Sequence, residues 1–278
     1  MVLKQLRERG FLDKPAFYPL SGGISIEVPI SRFTNCWDQE DVDGYEQEFI
    51  ETLCRFVRQL QPPVTLIDAG ADIGVLSLKV ASKCSSVERI IAFEPNAESY
   101  PWLKRNLDRL PYPALALANA VSDFEGRGAL TYPNYDPESA HACYLEPSPD
   151  GPIEVVTIDS VHSPSAMEHD LVLKLDLEGG EPAALRGAVR TLREARNVVV
   201  ALEAHPSVVK RTGVDPVESL RFLRSIREFQ FVAGETRETV TVDRPVFEQI
   251  PPDRIYNIIG RTSGEAPVSP VHSANRVS

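Results

Sequence analysis

The sequence predicts an α/β fold in which helices cover both faces of a mostly parallel β-sheet. Two features indicate this: short apolar, β-branched runs alternate with segments of helical periodicity, and several runs are followed by turns that contain Gly or acidic residues. Such alternation implies strand–helix–strand crossovers, which place successive strands parallel to one another. A chain of 278 residues is long enough for one such domain with extensions.

The first predicted elements are an N-terminal lead-in and a helix, within residues 1–60. Apolar and polar residues alternate over 24–28, which indicates a short strand or hairpin. Apolar residues then recur at helical spacing over 45–60, and Pro62 and Pro63 end the helix. We expect this N-terminal part to cover the ligand site of the domain that follows.

Residues 61–262 are predicted to form the main domain, and 263–278 a disordered tail. Core strands are predicted at 64–67, 89–93, 115–121, 171–175, 197–202, 229–233 and 255–260, the last two as an antiparallel pair at one edge. Helices are predicted at 75–83, 98–110, 182–192 and 216–229. The stretch 122–152 is rich in Gly, Pro and Asp, so we expect an irregular binding loop with one short strand at 129–132.

The composition excludes several classes of protein. A formal net charge of -11 leaves no basic surface for broad binding to nucleic acid or anionic membranes. A membrane-spanning helix needs ~20 consecutive apolar residues, and the sequence has no such run. The first nine residues are polar and charged, without the apolar core of a signal peptide. The four cysteines are scattered without metal-site spacing, so we expect reduced thiols in a cytoplasmic protein.

The strongest ligand-binding signal is the turn after the first core strand, Asp68-Ala69-Gly70-Ala71-Asp72-Ile73-Gly74. Its glycines let the backbone turn tightly and approach a ligand, and the helix that follows offers free N–H groups. Glu94 ends the second core strand, where a carboxylate can accept hydrogen bonds from both ribose hydroxyls of a nucleoside. Together these features predict a bound cofactor rather than a purely structural turn.

The spacing of this turn, D-x-G-x-x-x-G, differs from the dinucleotide fingerprint G-x-G-x-x-G. It has fewer glycines to hold a pyrophosphate, and it begins with the carboxylate of Asp68. That combination suits a cofactor with a ribose and an ammonium but no phosphate, which is the composition of S-adenosylmethionine. The absence of the three-glycine fingerprint also argues against a nicotinamide-dependent dehydrogenase.

Acidic residues end the fourth and fifth core strands. Asp176 and Glu178 follow the strand that contains Lys174, while Glu203 and His205 lie at the end of the next. Adjacent parallel strands end at one sheet edge, so we expect this cluster to surround the reacting group of the substrate. Repulsion between the carboxylates raises some of their pKa values unless Lys174 or a metal ion compensates.

The chain resembles the FkbM family of S-adenosylmethionine-dependent methyltransferases over about residues 40–205. The matching segments are Tyr45-Glu46-Gln47-Glu48, Leu66 to Gly74, Ala92-Phe93-Glu94-Pro95-Asn96, Leu103 to Leu107, Ala120-Val121-Ser122-Asp123, Val156 to Asp159, Leu173 to Gly179 and Leu185 to Ala188. The resemblance implies a class I methyltransferase (Rossmann-like) fold, with a seven-stranded sheet whose last strand is antiparallel. It also implies O-methylation, on a hydroxyl of a sugar, glycoside, polysaccharide or polyketide-type product.

The resemblance further implies which residues hold the cofactor, namely Tyr45, Glu46, Asp68, Ala69, Gly70, Ala71, Asp72, Gly74, Glu94, Pro95, Ser122, Asp123, Lys174 and Asp176. Two positions depart from the family pattern. Asp72 replaces an Asn, which adds a negative charge near the expected methionine moiety. Pro101 stands where family members have a helix-compatible residue, so we expect it to delay or kink that helix.

Several alternatives stay open at this point. The general base is Glu178, Glu203 or His205, and we favour His205 because its ordinary pKa lies near neutrality. Mg²⁺ held by Asp176 and Glu203 is a less favoured alternative. The acceptor is a small molecule or carbohydrate, contacted by the loop around Tyr135, His141 and Tyr144. The alternative function is that of a catalytically inactive, methyltransferase-like binding or scaffold protein. The sequence does not fix the oligomeric state, and a homodimer is compatible with it.

Overall fold

The computed structural model describes residues 15–29, 31–32, 35–36, 38–132, 143–162 and 169–262, without the side chains of 31–32 and 35–36. The predicted tail at 263–278 and two residues of the predicted acceptor loop, Tyr135 and His141, lie outside the described residues. Among the described residues, no helix is long and apolar enough to cross a membrane.

The N-terminal part contains two small hairpins and two helices. Strand β1 (Pro15–Pro19) pairs antiparallel with β2 (Ser25–Pro29), which confirms the strand predicted over 24–28. The short strands β3 (Ser31–Arg32) and β4 (Asn35–Cys36) form the second hairpin. Helices α1 (Gln39–Gly44) and α2 (Gln47–Val57) follow.

The main domain alternates strands and helices. In chain order these are β5 (Val64–Ala69), α3 (Val75–Lys83), β6 (Val87–Phe93), α4 (Tyr100–Leu107), β7 (Ala114–Leu117), β8 (Asn119–Val121), β9 (Gly126–Thr131), β10 (Tyr144–Pro147), β11 (Ile153–Val156), α5 (Ile158–Val161), β12 (Asp170–Leu175), α6 (Glu181–Arg186), α7 (Val189–Glu194), β13 (Val198–Ala204), α8 (Pro206–Thr212), α9 (Val217–Ile226), β14 (Phe229–Ala233), β15 (Thr239–Val240) and β16 (Tyr256–Thr262).

The central sheet has the strand order β15-β14-β16-β13-β12-β5-β6-β7. Five of its strands, β13, β12, β5, β6 and β7, are parallel to one another. Strand β16 lies antiparallel between β13 and β14. This order confirms the predicted class I methyltransferase fold, with an antiparallel last strand. The two-residue strand β15, paired with β14, adds an eighth strand to the seven predicted.

The core strands are apolar on both faces because helices cover both sides of the sheet. Every residue of β5 and β12 is buried. Alternate side chains enter two separate clusters: Ile67 and Leu173 pack on the α6 and α9 side, whereas Leu66 and Val172 pack on the α2 and α3 side. Continuous apolar runs of this kind are typical of strands in the middle of a parallel sheet.

The middle of the chain differs from the predicted irregular loop. The predicted strand 115–121 divides into β7 of the central sheet and β8 of a second, accessory sheet with the order β10-β9-β11-β8. Glycines permit its close packing: a Cβ on Gly151 would lie 2.1 Å from the carbonyl oxygen of Gly128. The strand predicted at 129–132 overlaps β9, whereas no pattern predicts β10 and β11, because strands of four residues carry a weak periodic signal.

Pro101 is accommodated at the start of α4. The helix begins at Tyr100, so Pro101 lies in its first turn, where a backbone N–H has no partner within the helix. The missing donor therefore costs no helical hydrogen bond, and α4 starts two residues later than predicted.

Two buried histidines lie at the amino end of the parallel strands. His162 follows α5 and His169 precedes β12, and their Nε2 atoms are 3.2 Å apart. His162 is 1% exposed. Burial, together with the nearby His169 and Arg89, lowers the pKa of His162 to about 4, while Asp159 acts in the opposite direction. His162 is therefore neutral in the folded protein at pH values where it is protonated in the unfolded chain.

We expect the contribution of His162 to the free energy of unfolding to decrease by about 2 kcal/mol from about pH 7.5 to pH 5. The unfolded chain binds the proton below about pH 6.5, whereas the folded protein does not, so acidification favours unfolding. The measurement is urea unfolding of the wild type and of His162→Gln at both pH values. The variant controls for carboxylates that titrate in the same range, and an equal pH-dependent loss in both proteins would contradict the assignment.

Candidate active site

A cavity of about 660 Å³ opens at the carboxyl ends of the parallel strands. Three parts of the fold form its wall: the segment between α1 and α2, the loops after β5, β6 and β12, and the accessory sheet. Of the predicted site residues, those that line it are Tyr45, Glu46, Gly70, Asp72, Glu94, Pro95, Ser122, Asp123, Asp176, Glu178 and Glu203. The structure thus places most of the predicted site around one space.

The turn after β5 has a backbone that requires glycine. Gly70 has a φ of 77°, and a Cβ there would lie 1.9 Å from the carbonyl oxygen of Asp176. Asp72 has a φ of 51°, in the left-handed region that Asp and Asn tolerate better than most residues. The same backbone conformation therefore accommodates either the Asn typical of the family or the Asp of this chain.

Glu94 holds this turn in place. Its Oε2 accepts a hydrogen bond from the N–H of Asp72 at 2.8 Å, and its Oε1 accepts one from the N–H of Asn96 at 2.7 Å. Each carboxylate oxygen keeps a second lone pair for a ligand hydroxyl. Burial, with repulsion from Asp72, raises the pKa of Glu94 to about 7.

Some predicted cofactor residues lie behind the wall rather than in it. Asp68 is fully buried, and its Oδ2 accepts a hydrogen bond from the Ser77 hydroxyl at 2.6 Å. Lys174 donates to the carbonyl oxygen of Gly70 at 2.8 Å and lies 3.4 Å from Asp68 Oδ1. These two residues therefore place a negative and a positive charge next to the glycine turn without lining the cavity themselves. The remaining three, Ala69, Ala71 and Gly74, belong to the turn's backbone scaffold.

The N-terminal wall carries a strained acidic residue. Glu46 has a φ of 44° and begins α2. Burial raises the pKa of Glu46 to about 7, an effect that Lys174 and a side-chain hydrogen bond with Asn257 reduce. Non-glycine residues in the left-handed region cluster at functional sites, and here Glu46 faces the cavity.

Three carboxylates converge in the cavity wall at the carboxyl ends of β12 and β13. Asp176, Glu178 and Glu203 each offer an oxygen, and these oxygens lie within 4.8 Å of one another. Asp176 Oδ2 is 3.2 Å from Lys174 Nζ. Burial and repulsion from Asp176 raise the pKa of Glu178 to about 7 and that of Glu203 well above its ordinary value. Three such groups cannot all be ionised near neutral pH, so the cluster retains a proton or binds a cation.

His205 has a different place from the one predicted for a general base. It caps α8, and its Nδ1 accepts a hydrogen bond from the N–H of Ser207 at 3.1 Å. Its Nε2 therefore carries the proton in the neutral form. His205 lines a smaller neighbouring cleft, and burial lowers its pKa. Its role as general base stays a prediction that this geometry does not favour.

The cavity also includes residues that sequence reasoning missed. The accessory sheet contributes Leu130 and Leu145, and Phe124 and Cys143 lie beside it. Phe124 directly follows the Ser122-Asp123 pair, so that motif offered a signal for it. Leu130 lies in β9, which overlaps the short strand predicted at 129–132, but no pattern gives it a role in the site, and Leu145 lies in β10, which no pattern predicts. Of the predicted acceptor loop, Tyr144 is described, and its ring packs 4.2 Å from the Arg211 guanidinium.

A family model, the methyltransferase FkbM domain, matches residues 68–232, which is more than half of the chain. The chain belongs to the FkbM methyltransferase family. This result confirms the family expected from the sequence motifs and, with it, a S-adenosylmethionine-dependent methyltransferase as the class of enzyme.

The hexuronic acid methyltransferase AglP of Haloferax volcanii is 26% identical over 214 residues, 77% of this chain and 82% of AglP. The AMB antimetabolite synthetase AmbE of Pseudomonas aeruginosa is 34% identical over 106 residues, which are 37% of this chain but 5% of that protein. This family domain is thus similar both to a carbohydrate-modifying enzyme and to a small part of a large synthetase.

Solved methyltransferase structures are similar at low identity. M. jannaschii TYW2 in complex with AdoMet has a TM-score of 0.42 and 11% identity, over 91% of this chain and 87% of that chain. The N-methyltransferase NodS from Bradyrhizobium japonicum WM9 has a TM-score of 0.44 and 11% identity, over 81% of this chain and 99% of that chain.

We expect Gly70→Ala to destabilise the fold by at least about 2 kcal/mol more than Gly213→Ala. Both glycines have a positive φ, 77° and 73°, so both variants pay a similar backbone strain. The new methyl group of Gly70→Ala clashes with the carbonyl oxygen of Asp176, whereas nothing lies within 4 Å of a Cβ on Gly213. Urea unfolding measures the difference, and equal losses would show that the contact with Asp176 does not constrain the turn.

Proposed function

We propose that this enzyme transfers the methyl group of S-adenosylmethionine to a hydroxyl of a sugar or glycoside, or of a polysaccharide or polyketide-type product. The observation that carries the proposal is the convergence of Asp176, Glu178 and Glu203 in a cavity that also contains the Gly70 turn. The family membership and the similarity to a hexuronic acid methyltransferase support it.

The residues of the cavity suit the proposed cofactor. Glu94 has two free lone pairs for the ribose hydroxyls, and Gly70 lines the cavity without a side chain, so a ligand can approach its backbone closely. Glu46, Asp72 and Asp176 supply negative charge for an ammonium group. Phe124 and the buried Ser122 line the same cavity, and their side chains suit contact with an adenine ring. When bound, S-adenosylmethionine supplies an activated methyl group for in-line displacement.

We expect Glu94→Ala to weaken S-adenosylmethionine binding by roughly 1–3 kcal/mol, because ribose hydroxyls and two backbone N–H groups lose their acceptor. Glu94→Gln should lose less, since the amide oxygen still accepts. Glu98→Ala is the control, as this exposed residue lies four positions further on. Isothermal titration measures all four proteins, and an unchanged affinity of Glu94→Ala would remove the ribose assignment.

The carboxylate cluster can remove the acceptor proton. Asp176 is paired with Lys174, and burial with repulsion from Asp176 raises the pKa of Glu203 well above its ordinary value, which favours its protonated form. With a pKa raised to about 7, Glu178 exists in both forms at neutral pH, as a general base should. We therefore assign Glu178 as the base, with Asp176 and protonated Glu203 orienting the acceptor hydroxyl.

The same cluster favours a hydroxyl over a carboxylate as the methyl acceptor. A carboxylate needs no general base, and it would be repelled by Asp176 and its acidic neighbours. Transfer of a radiolabelled methyl group to neutral hexosides and to hexuronosides tests this preference. Mild alkali releases the label from a methyl ester but not from a methyl ether. Product that forms only with hexuronosides and is alkali-labile would contradict the hydroxyl assignment.

We expect Glu178→Gln to lower turnover by about 10²–10⁴-fold while S-adenosylmethionine affinity stays unchanged. His205→Ala should keep most of the activity, and EDTA should have no effect. A divalent cation is the competing explanation, because the three carboxylate oxygens resemble an Mg²⁺ ligand set. Loss of turnover in EDTA, with recovery in Mg²⁺, would show that a metal ion activates the acceptor hydroxyl in place of Glu178. A large loss of turnover in His205→Ala but not in Glu178→Gln would show that His205 is the general base.

A further inference from the structure

Lys79 of α3 is a buried cation that backbone carbonyl groups surround. Its side chain is 3% exposed. Its Nζ donates hydrogen bonds to the carbonyl oxygens of Val42 at 2.9 Å, Asp43 at 3.0 Å and Tyr45 at 2.8 Å. An ammonium group has three donors, so these bonds use all of them.

The three carbonyl groups belong to the carboxyl-terminal end of α1. This end carries the negative pole of the helix dipole, and α1 has no basic residue of its own in the last turn. Lys79 therefore supplies the missing cation from another helix. Burial lowers the pKa of Lys79, while Asp43 and Glu46 raise it. Burying an ammonium group is unfavourable. If this position served only packing, an apolar residue would therefore stabilise the fold more than Lys79 does.

The contact fixes the chain where α1 gives way to α2. Tyr45, whose carbonyl Lys79 binds, immediately precedes Glu46 with its left-handed backbone. On the far side, the carbonyl oxygen of Glu46 accepts the N–H of Ile50 at 2.9 Å. Lys79 itself lies behind the cavity wall, whereas Tyr45 and Glu46 face the cavity.

We propose that Lys79 is a positioning residue for the cofactor, which holds Tyr45 and Glu46 in the cavity wall. Its helix, α3, begins directly after Gly74, at the end of the glycine turn. One rigid helix thus fixes both the turn and the N-terminal wall that faces it. The inference rests on the proposed cofactor site and adds the reason why the N-terminal segment is part of it.

Isothermal titration with S-adenosylmethionine tests the proposal on the full chain. Lys79→Met should weaken binding about tenfold or more, because Tyr45 and Glu46 must then be ordered at the expense of binding energy. Lys79→Arg keeps the charge and donors and should recover part of the loss. Lys83→Met is the matched control: it removes the same charge one turn later on the same helix, from an exposed position, and should change affinity less than about twofold.

A double-mutant cycle separates positioning from general destabilisation. Glu46→Gln should weaken binding in the wild-type background but not further in Lys79→Met, since the second protein already lacks a positioned Glu46. Hydrogen exchange should speed up over residues 42–50 in Lys79→Met and remain slow in β5 and β12. Additive effects, or faster exchange throughout the core, would show that Lys79 is merely structural.

The remaining outcomes are equally decisive. Wild-type affinity in a folded Lys79→Met would overturn the proposal. If Lys79→Met does not fold, Lys79→Arg is compared with Lys83→Met instead. Equal cofactor affinities of these two variants, with unchanged hydrogen exchange over residues 42–50, would overturn the proposal. Failure of the wild type itself to bind S-adenosylmethionine would instead contradict the proposed function.

Discussion

The functional edge of the sheet depends on one buried ammonium group, that of Lys174. It lies between Asp68 Oδ1 and Asp176 Oδ2, at 3.4 and 3.2 Å, and donates to the carbonyl oxygen of Gly70. The parallel register of β5 and β12 places Lys174 directly beside Asp68. Asp68 is fully buried, so without this cation its charge would be uncompensated and the glycine turn would lose its link to the neighbouring strand.

Two parts outside the parallel sheet convert this edge into an enclosed site. The N-terminal segment contributes Tyr45 and Glu46, held by a buried lysine, and the accessory sheet contributes apolar side chains opposite them. The N-terminal segment packs on the main domain, since α2 lies against α3, β13 and β16, and β2 lies against α3 and α4. The apolar side chains of the accessory sheet can therefore vary without altering the backbone of the glycine turn.

The sequence predicted the elements whose signals are local. Apolar runs identified the core strands, and the glycine turn with Glu94 identified part of the cavity wall, because strand, turn and helix follow one another in the chain. The accessory sheet joins short strands through pairings such as that of β8 with β11, which no local pattern reveals. Likewise, the lysine contact that links residues 79 and 45 and the capping bond of His205 depend on side-chain packing that only the folded structure defines.

The charge distribution of the site links ligand binding to protonation. Glu46, Glu94 and Glu178 have pKa values raised to about 7, each with burial as the main cause. A cationic ligand in the cavity favours their ionised forms, so its binding releases protons and strengthens as the pH rises through this range. The free site is thus a set of partly protonated carboxylates, and a positively charged cofactor adds to the compensation that Lys174 supplies at the sheet edge. The affinity for the cofactor and the readiness of Glu178 to accept a proton therefore increase together.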